Sequence, residues 1–440
     1  MDIKGHKIAI AGAGLVGSAL AALLQQKGAQ VDVYEKRKDP RLLKNYEGRS
    51  INLALSDRGI RTLNLLGVTD RILMNSIPMK GRMIHDEQGS LSFLPYSTEG
   101  KFINSVSRAE MNKTLVEKAE ELGVRFHFDQ EVFYKEEAFV LENDLVVDAD
   151  FHFGVDGAFS KVRAGVDPGA THEWLTHSYK ELHIDPRQHE FAMEPNALHI
   201  WPKGTYLLIA LPNADKSFTA TLILPNEGSF SFDEITNDEE IKSFFEAKFP
   251  DSIAVVNELE KQFKNSPTSK LATVRSDKWY DGHSTLLLGD AAHGIIPFYG
   301  QGMNAGLEDC FLLMELISSM TSWSEVASSL AASRPKDAAA IAQLSINNFV
   351  EMRDKVADEQ FLLQKKIERK IHDLYPTVWV QLYTMVTFSH IPYSVALAKG
   401  DYQNKVMKEV LKITNVEEKV NAGQLQEVLE VLRLQGVEVE

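Results

Sequence analysis

Lys7-Ile8-Ala9-Ile10-Ala11 runs directly into Gly12-Ala13-Gly14-Leu15-Val16-Gly17, then into a segment with Leu15, Ala19 and Leu23 on one helical face, then into Val31-Asp32-Val33-Tyr34-Glu35. Buried strand, glycine turn, helix ending near Gly28 and second strand form a βαβ unit, and its crossover commits the chain to a parallel sheet covered by helices. Glu35 lies 18 residues past Gly17, about where an acidic side chain meets a ribose hydroxyl in dinucleotide sites. A lone GxGxxG says little. Strand, helix, second strand and terminal acid in this order point to a bound nucleotide rather than to a glycine-packed βαβ unit.

The last of three such bends runs from Leu286-Leu287-Leu288-Gly289-Asp290 to Gly300-Gln301-Gly302-Met303-Asn304-Ala305-Gly306. It reads as a short buried strand, a turn carrying one carboxylate, and a helix whose first turn is almost bare of side chains. Such a helix start offers unpaired backbone N–H groups and the positive end of a macrodipole to negative charge. Gly300, Gly302 and Gly306 would let a flat ring approach the backbone, and Asp290 would accept from a sugar hydroxyl. The second bend, Asp156-Gly157, ends a strand and opens a helix with Ser160 and Arg163 on one face. Either bend alone also reads as ordinary α/β packing or a capped helix start.

Composition narrows what these bends serve. With 440 residues, 44% hydrophobic and 25% charged, the chain can build two or three domains and a sizeable core. A net charge of -15 argues against a nucleic-acid surface, which relies on clustered Lys and Arg. The thirteen histidines show no HExxH, HxH or Cys/His ligand spacing, so no metal site is expected. His293, beside Asp290, reads as a structural hydrogen-bonder, and no GxSxG elbow marks a hydrolase. The single cysteine, Cys310, excludes an internal disulfide and fits a reducing compartment. The amino terminus has no signal-peptide apolar region and no run of 18 apolar residues occurs, so no membrane span is expected.

Elsewhere the periodicity alternates. Ile51 to Leu55 reads as a strand, with Ser56 and Asp57 capping a helix that stops at Gly67. From Ile77 to Phe102 a period of two takes over, with a turn at Glu87-Gln88-Gly89. A helix follows from about Ala109 to Leu122. Leu198 to Trp201, Tyr206 to Leu211 and Ser217 to Leu224 form an antiparallel meander, and Phe244, Phe245 and Phe249 an amphipathic helix ending at Pro250. Ser322 onward is mainly helical, with Met352, Phe361, Leu362, Trp379 and Met385 read as core.

Three bends in this order resemble the FAD-dependent aromatic hydroxylases, the single-component flavin monooxygenases. Gly48-Arg49-Ser50-Ile51-Asn52-Leu53-Ala54-Leu55-Ser56, Arg82-Met83-Ile84-His85, Met193-Glu194-Pro195-Asn196, Pro297 to Asn304 and Leu382 to Ser389 are similar, within that family, to the kynurenine 3-monooxygenases. The resemblance runs from about residue 7 to 395. It implies an α/β fold: a Rossmann-like FAD-binding domain (1–75, 103–175, 271–320) interleaved with an antiparallel β-sheet substrate domain (76–102, 176–270), and a helical C-terminal region (321–440).

The resemblance further implies that FAD meets Gly12, Gly14, Val16, Gly17, Tyr34, Glu35, Lys36, Arg37, Ala54, Arg108, Val132, Asp156, Asp290, Met303 and Asn304. L-Kynurenine would meet Arg82, Tyr96, Asn348 and Tyr383, the guanidinium holding its carboxylate. NADPH would reduce the flavin transiently, having no Rossmann site of its own. O2 would then add to give a flavin hydroperoxide whose distal oxygen enters the ring, forming 3-hydroxykynurenine on the route from tryptophan to NAD. No side chain need act as a catalyst. Membrane-bound members continue into an apolar anchor, whereas Val416 to Glu440 reads here as one strongly charged amphipathic helix, so a soluble cytoplasmic enzyme is expected. A related hydroxylase of another aromatic acid, or a flavin reductase or redox-sensing module, stays open at this point.

Overall fold

The computed structural model describes residues 1–42, 52–87, 89–97, 99–355 and 358–439. The Gly48-Arg49-Ser50-Ile51 part of the resemblance lies outside them, as does Gln88.

Alternating βα segments build a five-stranded, wholly parallel sheet in the order Thr285–Leu287, Phe151–Gly154, Lys7–Ala11, Gln30–Glu35, Arg125–Phe128. Lys7–Ala11 sits at its centre, so the glycine turn leaves the middle of the sheet. Leu20 and Leu24 of the helix Leu15–Gln26 pack with Leu115 of the helix Arg108–Glu121 and Leu313 of the helix Gly302–Ser319, all fully buried.

The second sheet has seven strands: Ser269–Arg275, Thr171–Ile184, Phe218–Pro225, Tyr206–Pro212, Ala197–Lys203, Gly81–His85 and Leu91–Pro95. The expected meander is there, but the sheet is mixed, because Ala197–Lys203 pairs parallel with Gly81–His85. These two strands come from separate excursions of the chain, so no hairpin dictates their direction. The back of this sheet is covered by Phe244, Phe245 and Phe249 at the end of the helix Asp238–Lys248.

The C-terminal part is helical. Trp323–Val350 runs past Pro335 and passes at Glu351–Lys355 into a π-helical turn. The final amphipathic segment is two helices, Val416–Asn421 and Gln426–Leu434, because the intervening Gly423 takes φ +75°. Val416, Val420, Val428 and Leu432 are buried against Ile367 and Met407. Among the described residues no helix is long and apolar enough to cross a membrane.

Candidate active site

The first bend meets the third at Val16 and the second at Gly12, whose Cβ position lies 3.0 Å from the Asp156 backbone. A Cβ at Gly306 would stand 2.6 Å from the Val16 side chain and one at Gly289 3.3 Å, so both glycines are needed for the first and third bends to touch. In the first bend Gly12 takes φ +107° and its N–H donates to the Tyr34 carbonyl at 2.7 Å. The Glu35 carboxylate accepts from Ala13 N at 2.9 Å and Arg37 N at 3.0 Å, clamping the turn to the end of the neighbouring strand.

In the second bend Asp156 accepts from Ser160 Oγ at 2.5 Å and Lys161 N at 2.7 Å, and Ser160 Oγ accepts from Arg163 N as the helix cap. Burial pushes the Asp156 carboxyl above its ordinary pKa against these donors. Arg163 ties the second bend to the third, donating to the carbonyls of Ala158 at 2.6 Å and Ala291 at 2.8 Å. In the third, Gly289 N donates to Asp309 Oδ2, which also meets His293 Nε2 at 2.6 Å, so His293 is structural as expected. Asp290 is left exposed at the head of its one-turn helix.

One cavity of about 530 Å³ follows these bends and continues past them. Of the fifteen residues expected to meet FAD, Gly12, Gly14, Val16, Tyr34, Glu35, Lys36, Arg37, Ala54, Arg108, Val132, Asp156, Asp290 and Met303 line it. Gly17 and Asn304 do not. A Cβ at Gly17 would lie 2.0 Å from the Gly12 carbonyl oxygen, so that glycine serves the packing of helix on turn. Asn304 is wholly buried: it donates to the carbonyls of Ala54 and Gly300 at 2.8 Å each and accepts from Ser56 N at 2.9 Å. Ser56, at the predicted cap position, makes no side-chain cap bond.

Of the long helices that start at the cavity, Leu15–Gln26 and Gly302–Ser319 have no side-chain cap, whereas Arg108–Glu121 is capped by Ser107. The free N–H groups and positive ends of the first two therefore face the cavity, a donor set that fits a long anionic nucleotide.

At its far end the same cavity is lined by Arg82, Tyr96, Asn348 and Tyr383. Tyr96 and Tyr383 stack with centroids 4.9 Å apart and planes 7° apart, and Tyr299 stacks on the other side of Tyr383 at 5.6 Å. The Arg82 Cζ lies 5.2 Å from the Tyr383 centroid, and its Nη2 donates to Asn348 Oδ1 at 3.3 Å. Asn348 is itself held, donating to the Phe298 carbonyl at 2.7 Å. Among the described residues the Arg82 Nε is buried without a hydrogen-bond partner, which leaves polar capacity for a ligand.

Burial works against the Arg82 charge, but Glu351, with Oε1 3.3 Å from Nη1, and the hydroxyls of Tyr383, Tyr96 and Tyr299 together outweigh it, so its pKa stands above the ordinary value. Burial raises the phenols of Tyr96, Tyr299 and Tyr383, keeping them protonated donors. Glu351, Phe298 and Tyr299 were not singled out from sequence, and Met352, read as core, lines the cavity. The spacing of Glu351 three residues after Asn348, one helical turn, was the available signal.

Comparison with known proteins agrees with this geometry. The family described as FAD binding domain matches residues 6–344. A kynurenine 3-monooxygenase of Flavobacterium johnsoniae is 43% identical, the match covering 97% of this chain and 99% of the relative. The one of Cytophaga hutchinsonii is 44% identical over 94% and 95%, and that of Myxococcus xanthus 40% over 93% and 91%. Among solved structures, 2-methyl-3-hydroxypyridine-5-carboxylic acid oxygenase superposes with a TM-score of 0.68 over 80% of this chain and 94% of its own, at 21% identity, a likeness of fold. Identity at this level over nearly the whole length of both chains places the protein in the kynurenine 3-monooxygenase family, within the FAD-binding domain proteins.

Proposed function

We propose that the protein hydroxylates L-kynurenine at ring position 3, with FAD held along the cavity and NADPH and O2 as co-substrates. The observation that supports this most is the continuity of the cavity: the three nucleotide-type bends line one end and Arg82 the other. In this reading residues 1–75, 103–175 and 271–320 hold the cofactor, and 76–102 and 176–270 supply the substrate sheet. The helical remainder, 321–440, closes the site with Asn348 and Tyr383. The free, buried Cys310 and the lack of a membrane-length helix among the described residues are in keeping with the cytoplasm as its compartment.

When bound, FAD supplies hydride acceptance from NADPH and the activation of O2. Everything else falls to this chain. The N–H groups at the start of Leu15–Gln26 receive the pyrophosphate, Glu35 the ribose edge, and Asp290 a hydroxyl of the sugar chain. The uncapped start of Gly302–Ser319 would offer positive potential to negative charge on the flavin ring. Arg82 takes the substrate carboxylate, with Nε still available, and Asn348 and the protonated phenols of Tyr96 and Tyr383 receive its polar groups. Apolar walls, including Phe298, Leu211 and Ile223, exclude water around the reacting ring.

The test is direct. Protein purified with FAD is expected to show a flavin spectrum, to oxidise NADPH faster when kynurenine is added, and to yield a product heavier by one oxygen atom. Failure to take up flavin, or kynurenine-independent NADPH oxidation without that product, overturns the reading.

A further inference from the structure

Arg58, in the helix Asp57–Leu66, is fully buried although nothing in the oxygenation reaction calls for it. Its Nε donates to the Val386 carbonyl at 2.8 Å, and its Nη2 donates to the carbonyls of Met385, at 3.2 Å, and Ile391. Met385 and Val386 lie in the last turn of the helix Leu382–Thr387, whose second residue is Tyr383. The guanidinium thus closes the negative end of that helix, where carbonyls lack intrahelical partners. Its Cζ also sits 3.9 Å from the Tyr393 ring centroid.

The other side of Arg58 leads to the cofactor end. Its Nη1 donates to Glu308 Oε1 at 2.6 Å, and Glu308 Oε2 lies 2.8 Å from Arg334 Nη2. Arg334 Nε donates to Asp309 Oδ1 at 2.7 Å, and Asp309 Oδ2 accepts from Gly289 N, next to Asp290. Burial pushes the Asp309 carboxyl up, but His293 and Arg334 outweigh it and hold it at about 2. Alternating buried charges therefore run from the Asp290 bend to the wall that carries Tyr383.

We infer that Arg58 is a positioning residue for the substrate: it fixes the six-residue helix bearing Tyr383 in register with the cofactor bend. A helix so short has no stability of its own. The 7° alignment of Tyr383 with Tyr96 thus depends on what grips its carbonyl end. The identity of the substrate rests on the function proposed above; the role of Arg58 does not.

The experiment compares FAD-loaded wild type with Arg58→Lys, which keeps the charge beside Glu308 but lacks the planar fork, and with Tyr383→Ala and the double variant. Arg58→Lys is expected to retain FAD, to exchange the amides of 382–391 at least tenfold faster by hydrogen–deuterium exchange without substrate, and to raise KM for kynurenine about tenfold with a smaller change in kcat. In the Tyr383→Ala background the same substitution should leave KM unchanged, because its effect passes through Tyr383. Equal KM losses in both backgrounds, or unaltered exchange at 382–391, overturn the inference. If wild type fails to hydroxylate kynurenine, the functional reading falls and the exchange measurement still decides the role of Arg58.

Discussion

Arg82 in the cavity wall meets Glu351, Nη1 3.3 Å from Oε1, with strand and π-helical turn brought together from distant parts of the chain. The pairing occupies one corner of the guanidinium and leaves Nε without a partner, so the cation is held in place but not used up. In the proposed function Arg82→Ala removes the carboxylate anchor while leaving the three bends intact. Charge-assisted hydrogen bonds of this kind contribute about 2–3 kcal/mol, or roughly 30- to 150-fold in the dissociation constant. Titration of FAD-loaded variant with kynurenine is expected to show that loss at unchanged flavin content; unchanged affinity would place the anchor elsewhere.

Asp290 has a different role. It heads a one-turn helix with its side chain exposed to the cavity, while the neighbouring Gly289 and His293 are held by Asp309. Asp290→Ala should therefore spare the bend and remove only the ligand contact. The expected outcome is protein that folds with nearly wild-type thermal stability yet purifies mostly without FAD, read from its visible absorbance against its protein absorbance. Full flavin occupancy would show that Asp290 is dispensable for the cofactor.

Much of this site is local in the chain and was legible there. Gly12 to Glu35, the Asp156-Gly157 turn and the Asp290 bend each carry their own glycines and flanking periodicity, and each appears where those patterns put it. What escaped depends on contacts between distant segments. Nothing near Gly81–His85 reveals that its partner is Ala197–Lys203 or that they run parallel, since register between remote strands is set by the whole sheet. Glu351 and Met352 look like a helix end, and only the folding of Trp323–Val350 against the sheet brings Met352 to the cavity and Glu351 to Arg82. Asn304 sits within a motif that suggests a ligand contact, yet its amide is consumed by the carbonyls of Ala54 and Gly300. Gly423 was readable as a helix stop within Val416 to Glu440, and was passed over because the apolar spacing continues through it.

Gly17 gives a sharper test of the first bend than any residue lining the cavity. Its Cβ position falls 2.0 Å from the Gly12 carbonyl oxygen and 3.1 Å from the Val155 side chain. Backbone cannot yield there without moving the turn at φ +107°. Gly17→Ala is expected to destabilise the protein by about 2 kcal/mol, the usual cost of overpacking, and to weaken FAD binding together with it. Urea unfolding and flavin retention should fall in parallel. A variant as stable as wild type and fully loaded would mean the turn has room that the backbone positions deny.

The back of the seven-stranded sheet holds a buried group sensitive to pH. His199, on the strand paired with the Arg82 strand, is buried, and burial lowers its pKa to about 4 from 6.5. Its Nε2 donates to the Glu194 carbonyl at 2.8 Å, which leaves Nδ1 to accept from His85 Nε2 at 2.9 Å, so the neutral ring satisfies both partners. A base whose folded pKa is depressed favours the native state above its unfolded pKa, because there neither state binds the proton. As pH falls below about 6.5 the unfolded chain takes up a proton that the native ring refuses until about 4. Stability should therefore decline through the window from 6.5 to 4, by about 3 kcal/mol from this group. Urea midpoints at pH 7 and pH 5 in wild type and His199→Gln check it: the variant, lacking the titrating ring, should lose part of the pH dependence, and identical pH slopes would remove His199 as its source.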